Sequence, residues 1–263
     1  MADPASSQLP PVIITIDGPA GTGKSTVAHL LAQRLGLEFL DTGAMYRTAA
    51  LVALESKIEP DDGAGLAAAV ASAKMHFDWR TSPPALMLGD RVVGSRIRDM
   101  DVSGIVSIVA AQRPVRHVLV EAQRRIAQQH PRLVSEGRDQ GSVVFPDAPV
   151  RFFLTADAGV RADRRMAQLA TSGKPVDRAR VIRDIHERDL LDRTRPDGPL
   201  IRPPGAIDIN TGDGDVDYVV SRMEQEARER LPQALFRPPQ GSSQRRSGMT
   251  PDAKQNRVGG SAR

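Results

Sequence analysis

Cysteine is missing from all 263 residues, and aromatics are scarce: one Trp, two Tyr and six Phe. The first absence excludes disulfides, thiolate nucleophiles and Cys-based metal sites. The second leaves few rings for nucleic-acid bases to stack on. No run reaches the roughly 18 apolar residues that a membrane span needs. Met1 to Pro11 is polar, with one acid and no base, and lacks the basic and apolar regions of a secretory leader. A cytoplasmic protein with no membrane partner is the expectation. Lysine is rare too, at five against 31 arginines. Codon usage explains most of that imbalance, yet the planar arginine fork suits phosphate wherever arginines cluster.

The sequence pI of about 9.8 invites a nucleic-acid reading. Its source argues against one. Residues 236–263 carry six Arg or Lys against one acid, hence +5, which leaves −1 for residues 1–235 of a total of +4. That tail is rich in Gly, Ser, Pro and Gln and nearly free of large apolar residues, so it is expected to be disordered. Residues 1–10 are expected to be disordered as well. No nucleic-acid partner is expected.

What the chain does have is a phosphate-binding loop. The apolar run Val12-Ile13-Ile14-Thr15-Ile16 leads into Gly18-Pro19-Ala20-Gly21-Thr22-Gly23-Lys24-Ser25-Thr26, and a helical pattern follows. Glycines let backbone N–H groups converge on phosphate oxygens, and the helix start adds its own unpaired donors. Lys24 reaches the β- and γ-phosphates, and the Ser25 hydroxyl is placed to hold Mg²⁺. A nucleoside triphosphate is the expected ligand.

Strands alternate with helices, which predicts an α/β fold around a parallel sheet. Further strands are expected at 37–41, 133–135, 150–154 and 207–209, with helices at 24–35, 46–55 and 216–231. The long excursion 57–130 is expected to be an inserted lobe. It contains a hairpin, 86–88 with 91–93 around Gly89-Asp90, and a helix over 114–128. Two charged helices, 159–169 and 177–195, follow the fourth strand, broken at Gly173-Lys174-Pro175. Arg188, Asp192 and Arg195 then share one face. An Arg-rich pair in that position suits a lid that closes over phosphates.

Some patterns carry less. Asp213, Asp215, Asp217 and Glu224 mimic a calcium loop, but Tyr218 stands where Gly is needed, so a helix start is the better reading. The five histidines show no metal-ligand spacing. Asp101-Val-Ser-Gly104 matches a GTPase element without the N-K-x-D that reads guanine.

Four motifs in order are more specific. Gly18–Thr26 is followed by Asp41-Thr42-Gly43-Ala44-Met45-Tyr46-Arg47. Then come Glu136-Gly137-Arg138-Asp139-Gln140-Gly141-Ser142-Val143-Val144-Phe145-Pro146-Asp147-Ala148 and Glu187-Arg188-Asp189 with Asp192-Arg193 and Arg195. Over about residues 11 to 232 this resembles the bacterial cytidylate kinases. Thr42 stands where Ser is common, and Gln140 and Ser142 vary the third motif.

The resemblance implies a P-loop three-layer fold with a five-stranded parallel sheet. It implies a kinase domain over 11–235, with a core at 11–56 and 131–235, an acceptor lobe at 57–130 and a lid at about 157–196. It implies transfer of phosphate from ATP, with Mg²⁺, to CMP or dCMP by a monomer. Arg47 and Arg138 would grip the acceptor phosphate. Thr42, Arg116, Asp139 and Arg195 would read cytosine, and Ser107, Arg188 and Asp192 would touch the sugar. Lys24, Arg138, Arg188, Arg164 and Arg165 would serve the transfer itself. Two rival readings remain open: a related kinase acting on UMP, AMP or a metabolite such as shikimate, and a non-catalytic nucleotide sensor.

Overall fold

The computed structural model describes residues 9–170 and 177–236. The segments expected to be disordered, apart from residues 9, 10 and 236 at their inner edges, lie outside the described residues, as does the break at Gly173-Lys174-Pro175. Phe236, assigned to the tail by composition, is buried, with its ring centroid 4.8 Å from the Arg228 guanidinium carbon.

Strand β1 (Val12–Asp17) is apolar and almost wholly buried, as a central strand covered on both faces must be. The phosphate loop follows, then helix α1 (Lys24–Leu35), closed by Gly36. Strand β2 (Glu38–Asp41) passes without a break into α2 (Thr42–Ser56). The sequence suggests a polar loop there and a helix from Tyr46. Instead the Asp41 carboxylate accepts the Ala44 N–H at 2.8 Å and starts the helix four residues earlier.

The excursion holds α3 (Gly63–Ser72), β3 (Met75–Asp78), β4 (Ala85–Leu88), β5 (Arg91–Val92), α4 (Met100–Ala111) and α5 (Arg113–Gln129). The expected hairpin is present, with Leu88 opposite Arg91 around Gly89-Asp90. Strand β3 joins it as an antiparallel third strand; four residues are too short an alternation to announce it. Asp101 to Gly104 lies inside α4 and forms no switch loop.

The chain then returns through β6 (Arg132–Glu136), a π-type turn at Gln140–Val144, and β7 (Val150–Thr155). Helices α6 (Ala158–Ala170) and α7 (Arg178–Thr194) follow, then β8 (Ile207–Asn210) and α8 (Val216–Arg230). Helix α7 stops one residue before Arg195, whose backbone is extended at φ −60°, ψ 139°. Arg195 therefore does not share the helical face of Arg188 and Asp192. Asp215 caps α8, so the acidic cluster there is a helix start.

The main sheet runs β2-β6-β1-β7-β8, parallel at every pairing. One apolar cluster packs α2, α4 and α5 against one face, and a second packs α1 and α8 against the other. The carboxyl ends of β2, β6 and β1 thus lie side by side at one end of the sheet, the end at which sheets of this kind bind ligands. Among the described residues no helix is long and apolar enough to cross a membrane.

Candidate active site

The phosphate loop is held from below and above. Gly18 has φ 149°, and a β-carbon there would run into the Leu154 carbonyl of β7, so only glycine lets the loop rest on the sheet. From above, α6 presses on it: Arg161 donates to Ala20 O at 3.2 Å and Arg164 to Thr22 O at 3.4 Å. Arg164 also donates to the Thr211 hydroxyl and carbonyl, at 2.9 and 2.7 Å. Much of its donor capacity is thus spent on protein oxygens.

Lys24 is buried at the start of α1, its Nζ donating to Pro19 O at 2.8 Å. Burial, and then the nearby Arg138 charge, push its pKa down to about 7. Ser25 donates to Glu136 Oε1 at 2.7 Å. Glu136 ends β6 directly beside Asp41 at the end of β2. Burial and the Glu136 charge push the Asp41 carboxyl up to about 7.

A group of cations with too few counter-ions surrounds this point. Arg47 feels Arg165, Arg138 and Arg98, and burial with their charges pushes it down to about 10. Arg188 feels Arg138, Arg47 and Arg165 and falls to about 9, burial again being the largest cause. Its Nε is buried with no hydrogen-bond acceptor among the described residues. Arg138 is better compensated, because its Nε donates to Asp192 Oδ2 at 2.8 Å. Mutually repelling, desolvated cations are stabilised by an anion placed among them.

Beside this group lies a drier corner. Arg116 of α5 is 1% exposed, yet it carries a charge. Its Nη2 donates to Asp139 Oδ2 in a short contact, and its Nη1 donates to the Tyr46 hydroxyl at 3.2 Å. Arg195 Nη2 stands 3.9 Å from the same Asp139 oxygen. Thr42 is buried next to it and donates to the Glu136 carbonyl at 2.7 Å. Ser107 is half-buried on α4, one helical turn after Ser103, which accepts from Arg47 at 3.0 Å.

The sequence reading passed over several residues that build this site. Asp17 is fully buried and accepts the backbone N–H groups of Gln140 and Gly141 at 2.8 and 2.7 Å, pinning the turn that carries Arg138 and Asp139. Burial pushes its pKa up to about 7. Arg161 pairs with Asp189 at 2.7 Å and joins the two charged helices. Arg98 adds its charge beside Arg47, Asp41 stands beside Glu136, and Tyr46 accepts from Arg116. Only Asp17 and Asp41 had a local signal, each being an acid at the carboxyl end of an apolar strand.

Comparison with known proteins agrees with this geometry. The profile of the family described as cytidylate kinase matches residues 14–229. A cytidylate kinase of Rhodococcus jostii is 42% identical over 212 residues, covering 81% of this chain and 93% of that protein. One from Salinibacter ruber is 42% identical over 221 residues, covering 81% and 97%. A bifunctional pantoate ligase/cytidylate kinase of Parasynechococcus marenigrum is 39% identical over 233 residues, covering 87% of this chain and 46% of that longer protein. A phosphate loop under an excess of arginines, an ion-paired corner beside it and a match over most of the chain lead to one conclusion: this chain belongs to the cytidylate kinase family.

Proposed function

We propose that this site transfers the γ-phosphoryl group of ATP to CMP or dCMP, giving ADP and CDP or dCDP. The convergence of Lys24, Arg47, Arg138, Arg165 and Arg188 carries this reading. Two phosphorylated ligands meeting there bring at least four negative charges, and the in-line transfer needs them neutralised and aligned more than it needs covalent help. The acceptor phosphate is already an anion near neutral pH, so no general base is required.

In this reading Gly18 to Thr26 cradles the donor phosphates, with Lys24 against the transferred group. Arg47 and Arg138 hold the acceptor phosphate. Arg188 and Arg165 neutralise the charge that builds in transfer, and Arg164 contributes by fixing α6 to the loop. Arg116, Asp139, Arg195 and Thr42 read cytosine, whose amino group donates and whose N3 and O2 accept. Ser107, Arg188 and Asp192 face the sugar. The lobe 57–130 carries the acceptor, the segment 157–196 closes over the phosphates, and one chain supplies every group, which supports a monomer.

The oxygens of Ser25 and Glu136, with Asp41 beside them, fit a hard divalent cation such as Mg²⁺. When bound, Mg²⁺ would offset charge on the donor phosphates. Coupled ADP-release assays on a panel of monophosphates test the reading. CMP and dCMP should far exceed UMP, and AMP and GMP should be slowest, because a site built to pair one base rejects others by up to ~10⁴-fold. Equal turnover of AMP and CMP would overturn it.

A further inference from the structure

Arg116 has a third partner, outside the four motifs. Asp197 Oδ1 lies 3.3 Å from Arg116 Nε, an ion pair without hydrogen-bond geometry, and its other oxygen is 4.0 Å from Arg113 Nε one turn earlier on α5. In a guanidinium, Nε and one terminal nitrogen point along the same edge, which a single carboxylate usually bridges. Here the edge is divided: Asp139 takes Nη2 and Asp197 faces Nε. With Tyr46 on Nη1, each nitrogen faces one protein oxygen. One N–H on each terminal nitrogen is left over.

The turn that delivers Asp197 is built for close approach. It reads Arg195-Pro196-Asp197-Gly198-Pro199, and the two prolines restrict the residues around Asp197. Gly198 sits at φ 58°, and a β-carbon there would collide with Arg116 Nη2 and with Asp139 Oδ2. The backbone at Gly198 therefore lies directly against the Arg116–Asp139 pair. Arg195 Nε closes the turn by donating to the Gly198 carbonyl. The turn is anchored to α7, since Leu200 N–H donates to Asp192 O at 2.7 Å.

We propose that Asp197 is a positioning residue of the base pocket: its carboxylate fixes the Arg116 guanidinium by Nε, leaving the two remaining N–H groups aimed for the acceptors of cytosine. Asp139 and Tyr46 hold the terminal nitrogens Nη2 and Nη1. Asp197 adds a charge beside the third nitrogen, Nε, and because its turn continues from α7 it ties base reading to the segment over the phosphates. The proposal rests on Arg116 reading the base.

Steady-state kinetics on Asp197→Asn, Asp197→Glu and Arg116→Gln, each checked by thermal unfolding, test it. Asp197→Asn should raise KM for CMP and dCMP by the same factor, about fivefold. That is the upper end for a partly exposed ion pair, since Asp197 is 35% exposed. Its kcat and its KM for ATP should stay within about twofold, because the turn touches neither. Asp197→Glu should recover part of the loss. If Arg116→Gln raises KM for CMP but Asp197→Asn does not, Asp197 has no positioning role. If Asp197→Asn lowers kcat and Tm with both KM values unchanged, its role is only structural and the proposal falls. If Arg116→Gln leaves KM for CMP unchanged, the base-site reading itself is wrong and the proposal falls with it.

Discussion

Arg138 Nε donates to Asp192 Oδ2 across 2.8 Å, tying the turn after β6 to helix α7. Both side chains are largely withdrawn from water, so the pair is a fixed strut rather than a surface contact. The same carboxylate attracts Arg188, one helical turn away. Nearby Arg138 and Arg188 hold the Asp192 carboxyl below the usual carboxylate range, although burial, the largest influence, opposes them. Asp192 thus sets two arginines at once.

Replacing Asp192 with Asn keeps the shape and removes the charge. The kcat/KM should fall about tenfold or more for both CMP and dCMP, the scale of one lost charge-assisted contact. The ratio between the two acceptors should shift as well, if the second Asp192 oxygen meets a ribose hydroxyl. The KM for ATP should not move. Kinetics with both acceptors check all three points, and an effect confined to ATP would show that Asp192 has been misplaced.

Lys24→Met should abolish turnover by roughly 10³-fold, the scale of losing a charge contact to the transferring group. It should also make the ligand-free protein more stable at pH 7. A lysine whose pKa falls from 10.5 to about 7 on folding contributes stability only above its unfolded value. That contribution is lost as pH drops from about 10.5 towards 7, and Met does not carry the cost. Differential scanning calorimetry without nucleotide gives the Tm of each form.

Buried Asp17 and Asp41 work in the opposite sense. Each is raised to about 7, so the folded chain holds protons that the unfolded chain has released. Their contribution is complete below about pH 4 and disappears as pH rises through 7. The Tm of the ligand-free protein should therefore fall between pH 5.5 and 7.5. In Asp41→Asn that fall should be shallower. A parallel pH profile in the variant would remove Asp41 from the account.

Trp79, the one tryptophan, stacks on His130 with ring centroids 3.9 Å apart, and His130 Nδ1 lies 3.0 Å from Glu38 of β2. This joins the end of β3 to the main sheet. His130→Ala should destabilise the fold by about 1 kcal/mol, the usual worth of an aromatic pair. It should also change Trp79 emission in the native state. Urea unfolding followed by fluorescence measures both.

The phosphate loop was legible from the chain because its geometry is local: glycines, a lysine and a hydroxyl within nine residues after a buried strand. The sheet strands were legible too, from short apolar runs between turn residues. Family membership followed from four motifs in order. Charge pairing was not legible. With 36 basic and 32 acidic residues, spacing on one element says which groups are neighbours there and nothing about groups brought from elsewhere.

Asp192 is set by helical spacing to face Arg188, yet it bonds Arg138, 54 residues away. Arg195 was assigned to the helix and instead leaves it to meet Asp139. Asp17 grips a turn more than 120 residues on. Arg164, an expected phosphate contact, turns to Thr22 and Thr211. The backbone cradle and the sheet that presents it can be read from the chain alone, since both follow from φ/ψ preference and apolar periodicity within short windows. Which carboxylate answers which arginine is settled in the folded molecule, because that choice is made where separate elements pack and water is excluded.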